Sequence, residues 1–300
     1  MTKKLLIISP CRNEERFIEL TLRSVINQTR RPDRWIIVDD SSTDSTPEIV
    51  ARYAAEHPWI ELLRRRRAGE RQMGPGVIAA FNAGLEHAGD YDYSFVAKTD
   101  CDVEFPPDAF EKILARFEDE RIGISGGAVH LVMGDRLFFE RYAPYHVSGA
   151  TKFYGRECFE DIGGLQQVYG WDIVDETDAR RHGWETETLA EITIKHHRLQ
   201  GSAFGRIRGR VIWGWGAYAS GGHPLFAIAR GIFRMAEPPW IIGGLAFIWG
   251  FFSSYFKPSV KRIRDRQLLK YLRREQFYRM FHGNRLSPAE SRKNKAKEND

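Results

Sequence analysis

Two aspartates one residue apart, Asp100 and Asp102, close an apolar run, Tyr93-Ser94-Phe95-Val96-Ala97, that reads as a buried strand. Carboxylates in that position stand at a strand's carboxyl edge, where open α/β sheets take their ligands. They precede a Pro-Pro turn at Pro106 and Pro107, and such a pair is costly to fold unless a cation or a partner neutralises it. A divalent metal carrying a diphosphate would do so. The plainer alternative is a solvated strand end with two acidic turn residues. Three further clusters fall at or just after the ends of expected strands. Pro10-Cys11-Arg12-Asn13-Glu14 is a strand-to-helix turn whose free amides and polar side chains can bind a base or a phosphate. Asp39-Asp40 can accept hydrogen bonds from a base or ribose, or simply cap the turn that follows. In Gly170-Trp171-Asp172-Ile173-Val174-Asp175-Glu176 the three acids share one helical face. One can be a base and another its orienter, or Asp175, Glu176 and Asp178 can be helix-start acids facing water. Lys195-His196-His197-Arg198 is a fifth candidate, because imidazole ligates Mn2+ and arginine holds a phosphate bidentately; its alternative is a polar strand end. Arg64-Arg65-Arg66-Arg67 reads as a solvated loop, with Arg71 beyond it in reach of a nucleotide.

The elements that must position these residues alternate. Strands are expected at 4–9, 35–38, 59–63 and 93–97, and helices at 14–28, 43–57 and 74–89, with another at 108–118. Strand–helix alternation at this spacing means a parallel sheet with helices on both faces. Glu14 and Glu15 suit the first turn of a helix, and Thr43 to Glu48 opens the next with a Ser/Thr cap and Pro47. From residue 122 glycines multiply, and strands and loops dominate to about 165. A helix over 172–183 and a strand over 191–195 follow. Cys101, between the two aspartates, points into the core, since strand side chains alternate.

Bulk properties narrow the class. Three hundred residues, 42% apolar and 28% charged, allow a sizeable core in one large domain or two small ones. Three scattered cysteines, Cys11, Cys101 and Cys158, argue against a disulfide framework or a cysteine zinc site and suit a reducing cytosol. The apolar start is too short for a signal-peptide core. The net charge of +5 is uneven: 257–285 carry +8 and 286–300 carry +1, leaving −4 on the first 256 residues. Before the basic segment, Trp240 to Phe256 is a charge-free run of 17 residues with aromatic residues near both ends. As a helix it would be about 26 Å long, short for crossing a bilayer. It fits an interfacial or re-entrant segment, or else a buried core or dimer-interface helix; Leu225 to Phe233 would be its amphipathic partner. A basic stretch after an apolar one points to an anionic membrane surface and away from nucleic acid.

In this order and spacing the motifs resemble family 2 glycosyltransferases of the GT-A fold, over about residues 3–200. The apolar strand into Pro10-Cys11-Arg12-Asn13-Glu14, Ser24 to Thr29, Val38-Asp39-Asp40-Ser41-Ser42-Thr43-Asp44, Asn82-Ala83-Gly84-Leu85, Asp100-Cys101-Asp102 and Gly149 to Gly164 each have a counterpart. Ser41 stands where the family more often has glycine. The resemblance implies a nucleotide-diphosphate sugar donor, with Pro10, Arg12, Glu14 and Asp40 around base and ribose and Arg71 reaching the nucleotide. Asp102 would bind Mg2+ or Mn2+, with Asp100 on the ribose or metal side and His197 as a late-domain ligand. Counting back from Gly183-Trp184 places the family's catalytic acid on Asp172, with Trp171 where the family has glutamate; Asp175 is the second candidate for the base.

The expected protein is therefore α/β, with a GT-A, Rossmann-like, mostly parallel sheet with helices on both faces over 1–205. A C-terminal helical, partly hydrophobic extension follows over 206–285, with a disordered tail over 286–300. Its expected reaction is inverting, metal-dependent transfer of a sugar to a hydroxyl, on a lipid-linked or cell-surface glycan acceptor. The expected location is cytoplasmic, with peripheral or re-entrant association with the membrane, and with no nucleic-acid partner. The alternatives are a nucleotidyltransferase, for which a Gly-rich phosphate loop after the first strand is missing, and a non-catalytic sugar-nucleotide-binding protein. A dehydrogenase would need Gly-x-Gly-x-x-Gly after that strand.

Overall fold

The computed structural model describes residues 3–66, 74–139, 143–198, 205–236 and 239–283. It falls into two compact units, one of residues 1–72, 76–165 and 184–198, the other of 73–75, 166–183 and 199–300.

The first unit is built on a nine-stranded sheet. Its strands are β1 (Leu5–Cys11), β2 (Arg34–Asp40), β3 (Ile60–Arg65), β4 (Phe95–Thr99), β5 (Val103–Glu104), β6 (Ile122–Met133), β7 (Arg136–Phe139), β8 (Thr151–Gly155) and β9 (Glu185–His196). Their order is β3-β2-β1-β4-β8-β6-β9-β5, with β7 paired to β6. The alternating half of the chain gives the parallel part, β3-β2-β1-β4. Apolar on both sides, β1 and β2 are buried almost throughout, as parallel strands covered by helices must be. The glycine-rich half is mixed: β8 is antiparallel to β4 and β6, while β6 and β9 run parallel. Strand order reverses at β1, which lies between β2 and β4. Ligands of open α/β sheets bind beyond the carboxyl ends at such a point.

The covering helices are α1 (Ile18–Ile26), α2 (Thr46–Glu56), α3 (Pro75–Ala88), α4 (Ala109–Ala115) and α5 (Arg156–Asp161). Helix α1 starts four residues later than the sequence suggests. Asn13 takes φ 55° and the Glu14 carbonyl closes a turn with the amides of Phe17 and Ile18. Glu14 is thereby a buried loop residue, and the acid of the first helical turn is Glu19. On α3, Gly84 lies so close to the sheet that a Cβ would fall 2.5 Å from Ile8 Cγ2, which explains glycine in Asn82-Ala83-Gly84-Leu85.

The second unit is helical: α6 (Trp171–His182), α7 (Arg206–Ala219), α8 (Pro224–Phe233), α9 (Ile241–Ser253) and α10 (Arg266–His282). A 3-10 turn, Ser254–Phe256, extends α9. Glycine sets how α6 meets α7, since a Cβ on Gly170 would fall 2.8 Å from the Gly216 carbonyl oxygen. No helix among the described residues is long and apolar enough to cross a membrane. Pro238 and the tail over 286–300 lie outside the described residues.

Candidate functional site

The loops after β1 and β2 are laced together by short polar contacts. The amide of Asn13 donates to Ser42 Oγ (2.9 Å), that of Thr43 to Asn13 Oδ1 (2.8 Å), and that of Glu14 to Thr46 Oγ1 (2.8 Å). Asp39 and Asp40 make different contacts. Asp39 Oδ1 accepts from the Ser42 amide at 3.2 Å and so closes the turn. Asp40, buried, takes an ion pair from Arg65 at 3.4 Å. Between them and the next loop, Ser41 adopts φ 67°, a left-handed conformation that favours glycine. Its hydroxyl donates to the Arg65 carbonyl at 2.9 Å.

Beyond β4 the two aspartates meet the end of β9. Val103 of β5 pairs with His196 of β9, and the His197 amide donates to the Asp102 carbonyl at 2.9 Å. This pairing brings Asp100, Asp102 and His196 together, with one ligand atom from each inside a common 4.8 Å. Asp102 and His196 are buried, and Asp100 is half-buried. Two hard carboxylate oxygens suit Mg2+ or Mn2+, and the imidazole adds a nitrogen donor of the kind transition metals take. His197, the histidine expected at the metal, turns instead to Glu104 at 3.1 Å and stacks on Phe17. Burial alone would raise the Glu104 carboxyl, but hydrogen bonds and charge from Lys195 and His197 outweigh it and hold it below the usual range.

Two cations frame the cluster. Lys98, buried in β4, donates to Asp100 and to the Gly149 carbonyl. Arg198 pairs with buried Glu14 and sits 3.7 Å from Asp102, so Glu14 and Asp102 share one guanidinium. Cys101 is in the core beside Cys11, but it lies in the turn between β4 and β5, where Asp102 is buried as well, so strand alternation is not what places it. The Cys11 thiol is pushed up by its hydrogen bond with Cys101 and by burial. Burial raises the Cys101 thiol as well.

Of the other expected nucleotide contacts, Pro10 lies in β1 opposite Val38 and Arg12 is half-buried just past that strand. Arg71 lies outside the described residues. Arg64 of the arginine run pairs with Glu48 at 3.1 Å.

In the second unit, Asp172 is half-buried in the first turn of α6, whereas Asp175, Glu176 and Asp178 are buried and do not face water. Asp175 Oδ1 accepts from the Glu176 amide at 2.7 Å. Arg180 grips Glu275 of α10 through two bonds of 2.8 and 3.1 Å and has Glu176 at 3.8 Å. Burial alone would lower the Arg180 pKa, but these carboxylates raise it above its ordinary value. Burial raises the Asp178 carboxyl, partly offset by Arg181.

The sequence foresaw the two aspartates and the segment holding His196 and Arg198, but not Lys98. A lysine inside an apolar strand, two residues before a carboxylate, was the available signal. Choosing between His196 and His197 needed the register of β9.

Comparison with known proteins places this geometry. The family model described as glycosyl transferase family 2 matches residues 6–170, ending two residues before Asp172. An uncharacterized glycosyltransferase, YibD, of Escherichia coli (strain K12) is 30% identical over 124 residues, 41% of this chain and 33% of that protein. A putative teichuronic acid biosynthesis glycosyltransferase, TuaG, of Bacillus subtilis (strain 168) is 32% identical over 108 residues, 36% of this chain and 39% of that protein. The matches thus span between a third and two-fifths of these relatives. Among solved structures, the mannosyltransferase PcManGT from Pyrobaculum calidifontis, in complex with GDP-Man and Mn2+, shares the fold. Its TM-score is 0.55 at 21% identity, over 85% of this chain and 74% of that one.

Proposed function

We propose that this chain, which belongs to glycosyl transferase family 2, moves a sugar from a nucleotide-diphosphate donor to a hydroxyl, with metal dependence and with inversion at the anomeric carbon. The observation that carries the reading is the Asp100, Asp102 and His196 donor cluster beyond β4, beside the point where strand order reverses. Those three residues would hold a divalent cation, which when bound offsets the charge that collects on the departing diphosphate. Arg12, Glu14 and Asp40 bind base and ribose, and Arg71 reaches the nucleotide. Arg198, already shared between Glu14 and Asp102, brings a fixed positive charge toward the diphosphate. Asp172 accepts the proton of the acceptor hydroxyl as its oxygen attacks the anomeric carbon. The bond to the diphosphate breaks on the opposite face, and a nucleoside diphosphate leaves. Asp175, which accepts from the Glu176 amide of its own helix, is the second candidate for that base.

The catalytic part lies within 1–205, and 206–285 carry the acceptor side to the cytoplasmic face of a membrane. The acceptor is a lipid-linked or cell-surface glycan, in keeping with the role named for TuaG.

A panel of nucleotide sugars, screened with and without Mn2+ for thermal shift and for nucleoside diphosphate release, tests the reading. A donor-specific, metal-dependent shift is expected. Asp102→Asn should abolish it, and Asp172→Asn should keep the shift but lose transfer by about a hundredfold or more. Full transfer by the Asp102 variant would sink the metal assignment. Pyrophosphate release would identify a nucleotidyltransferase instead.

A further inference from the structure

Helix α9 is apolar on both of its sides. The side it buries carries Gly243, Gly244, Ala246 and Gly250 beside Phe247 and Phe251. The side it shows to solvent carries Ile241, Ile242, Leu245 and Trp249, three and four residues apart. Trp249 is 69% exposed, and Phe256, at the end of the following turn, 90%. A helix docked on a water-soluble core keeps its outer side polar. The buried side explains itself by close packing. A Cβ on Gly244 would fall 2.4 Å from the Gly231 carbonyl oxygen of α8, and one on Gly250 would fall 2.2 Å from that of Val211 of α7. Helices that meet through small residues and turn their large apolar residues outward are built for a surrounding that is itself apolar.

The length and the charge say what that surrounding is. Thirteen residues make about 20 Å of helix, against a hydrocarbon core of about 30 Å, so α9 lies along an interface and does not span. Cations flank aromatic rings beside it. Arg210 and Arg234 stand over Trp213 at 4.5 and 4.8 Å, and Lys257 stands 3.7 Å from the Trp215 ring centre. The segment over 257–285 adds a net +8. An exposed apolar stripe beside concentrated positive charge is complementary to a bilayer surface with anionic headgroups.

We infer that the solvent-facing stripe of α9, with Phe256, inserts into the interfacial layer of an anionic lipid bilayer, anchored electrostatically by the neighbouring arginines and lysines. This deepens the functional reading above by naming the surface that holds the enzyme at its acceptor. The binding it describes does not depend on catalysis.

The test is co-sedimentation of the full chain with phosphatidylcholine vesicles and with vesicles containing phosphatidylglycerol, at low and high salt. Binding is expected to favour the anionic vesicles and to weaken with salt. Leu245→Glu/Trp249→Glu changes only exposed side chains and should lower partitioning by about tenfold or more, with the thermal transition and the donor-induced shift kept. Vesicle binding unchanged in that variant would overturn the inference. So would a dimer by light scattering that the variant converts to monomer while vesicles are ignored, since the stripe would then cover a second copy. A protein that binds vesicles but shows no donor shift keeps this surface and loses the catalytic reading.

Discussion

Replacing His196 and His197 one at a time separates two neighbours that sequence alone cannot rank. His196 is buried and supplies the imidazole of the donor cluster. His197 contacts Glu104 at 3.1 Å, where the carboxylate is partly exposed. Metal binding to the folded state stabilises it by RT ln(1 + [L]/Kd), about 2.7 kcal/mol at a hundredfold excess over Kd. Loss of a supporting group around a metal costs 10- to 100-fold in affinity, and a direct donor is expected at the upper end. After a hundredfold loss, the same Mn2+ concentration stabilises by about 0.4 kcal/mol. At about 2–4 °C per kcal/mol for a domain of this order, the Mn2+-induced rise in Tm should fall from roughly 5–10 °C to about 1 °C in His196→Ala. His197→Ala should keep the full rise, while its baseline stability drops by about 1 kcal/mol or less, as for a partly exposed ion pair. Differential scanning calorimetry across a Mn2+ titration reads both. A full Mn2+ shift in His196→Ala, or its loss in His197→Ala, would refute the assignment.

Three more outcomes follow from named contacts. Glu275→Gln leaves the buried Arg180 guanidinium without its bidentate partner and should cost about 3–5 kcal/mol, whereas Arg180→Met/Glu275→Leu should recover most of it; urea midpoints decide. Ser41→Gly should relieve about 1 kcal/mol of left-handed strain and give up one hydrogen bond of similar worth, so its melting temperature should stay near that of the parent, while Ser41→Val should melt clearly lower. Asp119 is held down to about 2, first by the Arg121 side chain and then by the Arg121 amide. A depressed carboxyl pKa stabilises above the unfolded value and loses that contribution as pH falls through the folded one. Asp119→Asn should therefore flatten stability between about pH 4 and pH 2, by about 1 kcal/mol at most for so open a pair; pH-dependent urea unfolding reads the difference.

Much of the first unit was legible because its code is local. The runs of β1 and β2 are apolar on both faces, and the turns after them carry Asn13, Asp40 and Asp44 at fixed spacings. Asp100 and Asp102 end a strand whose identity the preceding five residues reveal. Boundaries failed where a contact distant in sequence decides them: α1 starts late because the Glu14 turn is tied to Thr46 of the next loop. The long strand β9 was half missed because Glu and Thr alternate through its first half, and its pairing with β6 is what makes them a strand.

The sequence by itself determined which side chains are available for chemistry, since carboxylates at strand ends, a histidine pair and an acid-rich helix start are properties of residue type and spacing. Only the tertiary structure decided which of them lie together. Register at the β5–β9 pair sets His196 beside Asp100 and Asp102, while His197, one residue past the strand, meets Glu104. It sets Arg198 between two acids that stand 88 positions apart in the chain, at Glu14 and Asp102. In α9 the same apolar composition would serve a core, a span or a surface. Which side of it is buried follows from where the glycines face, and that is fixed by how closely the α7 and α8 backbones approach it.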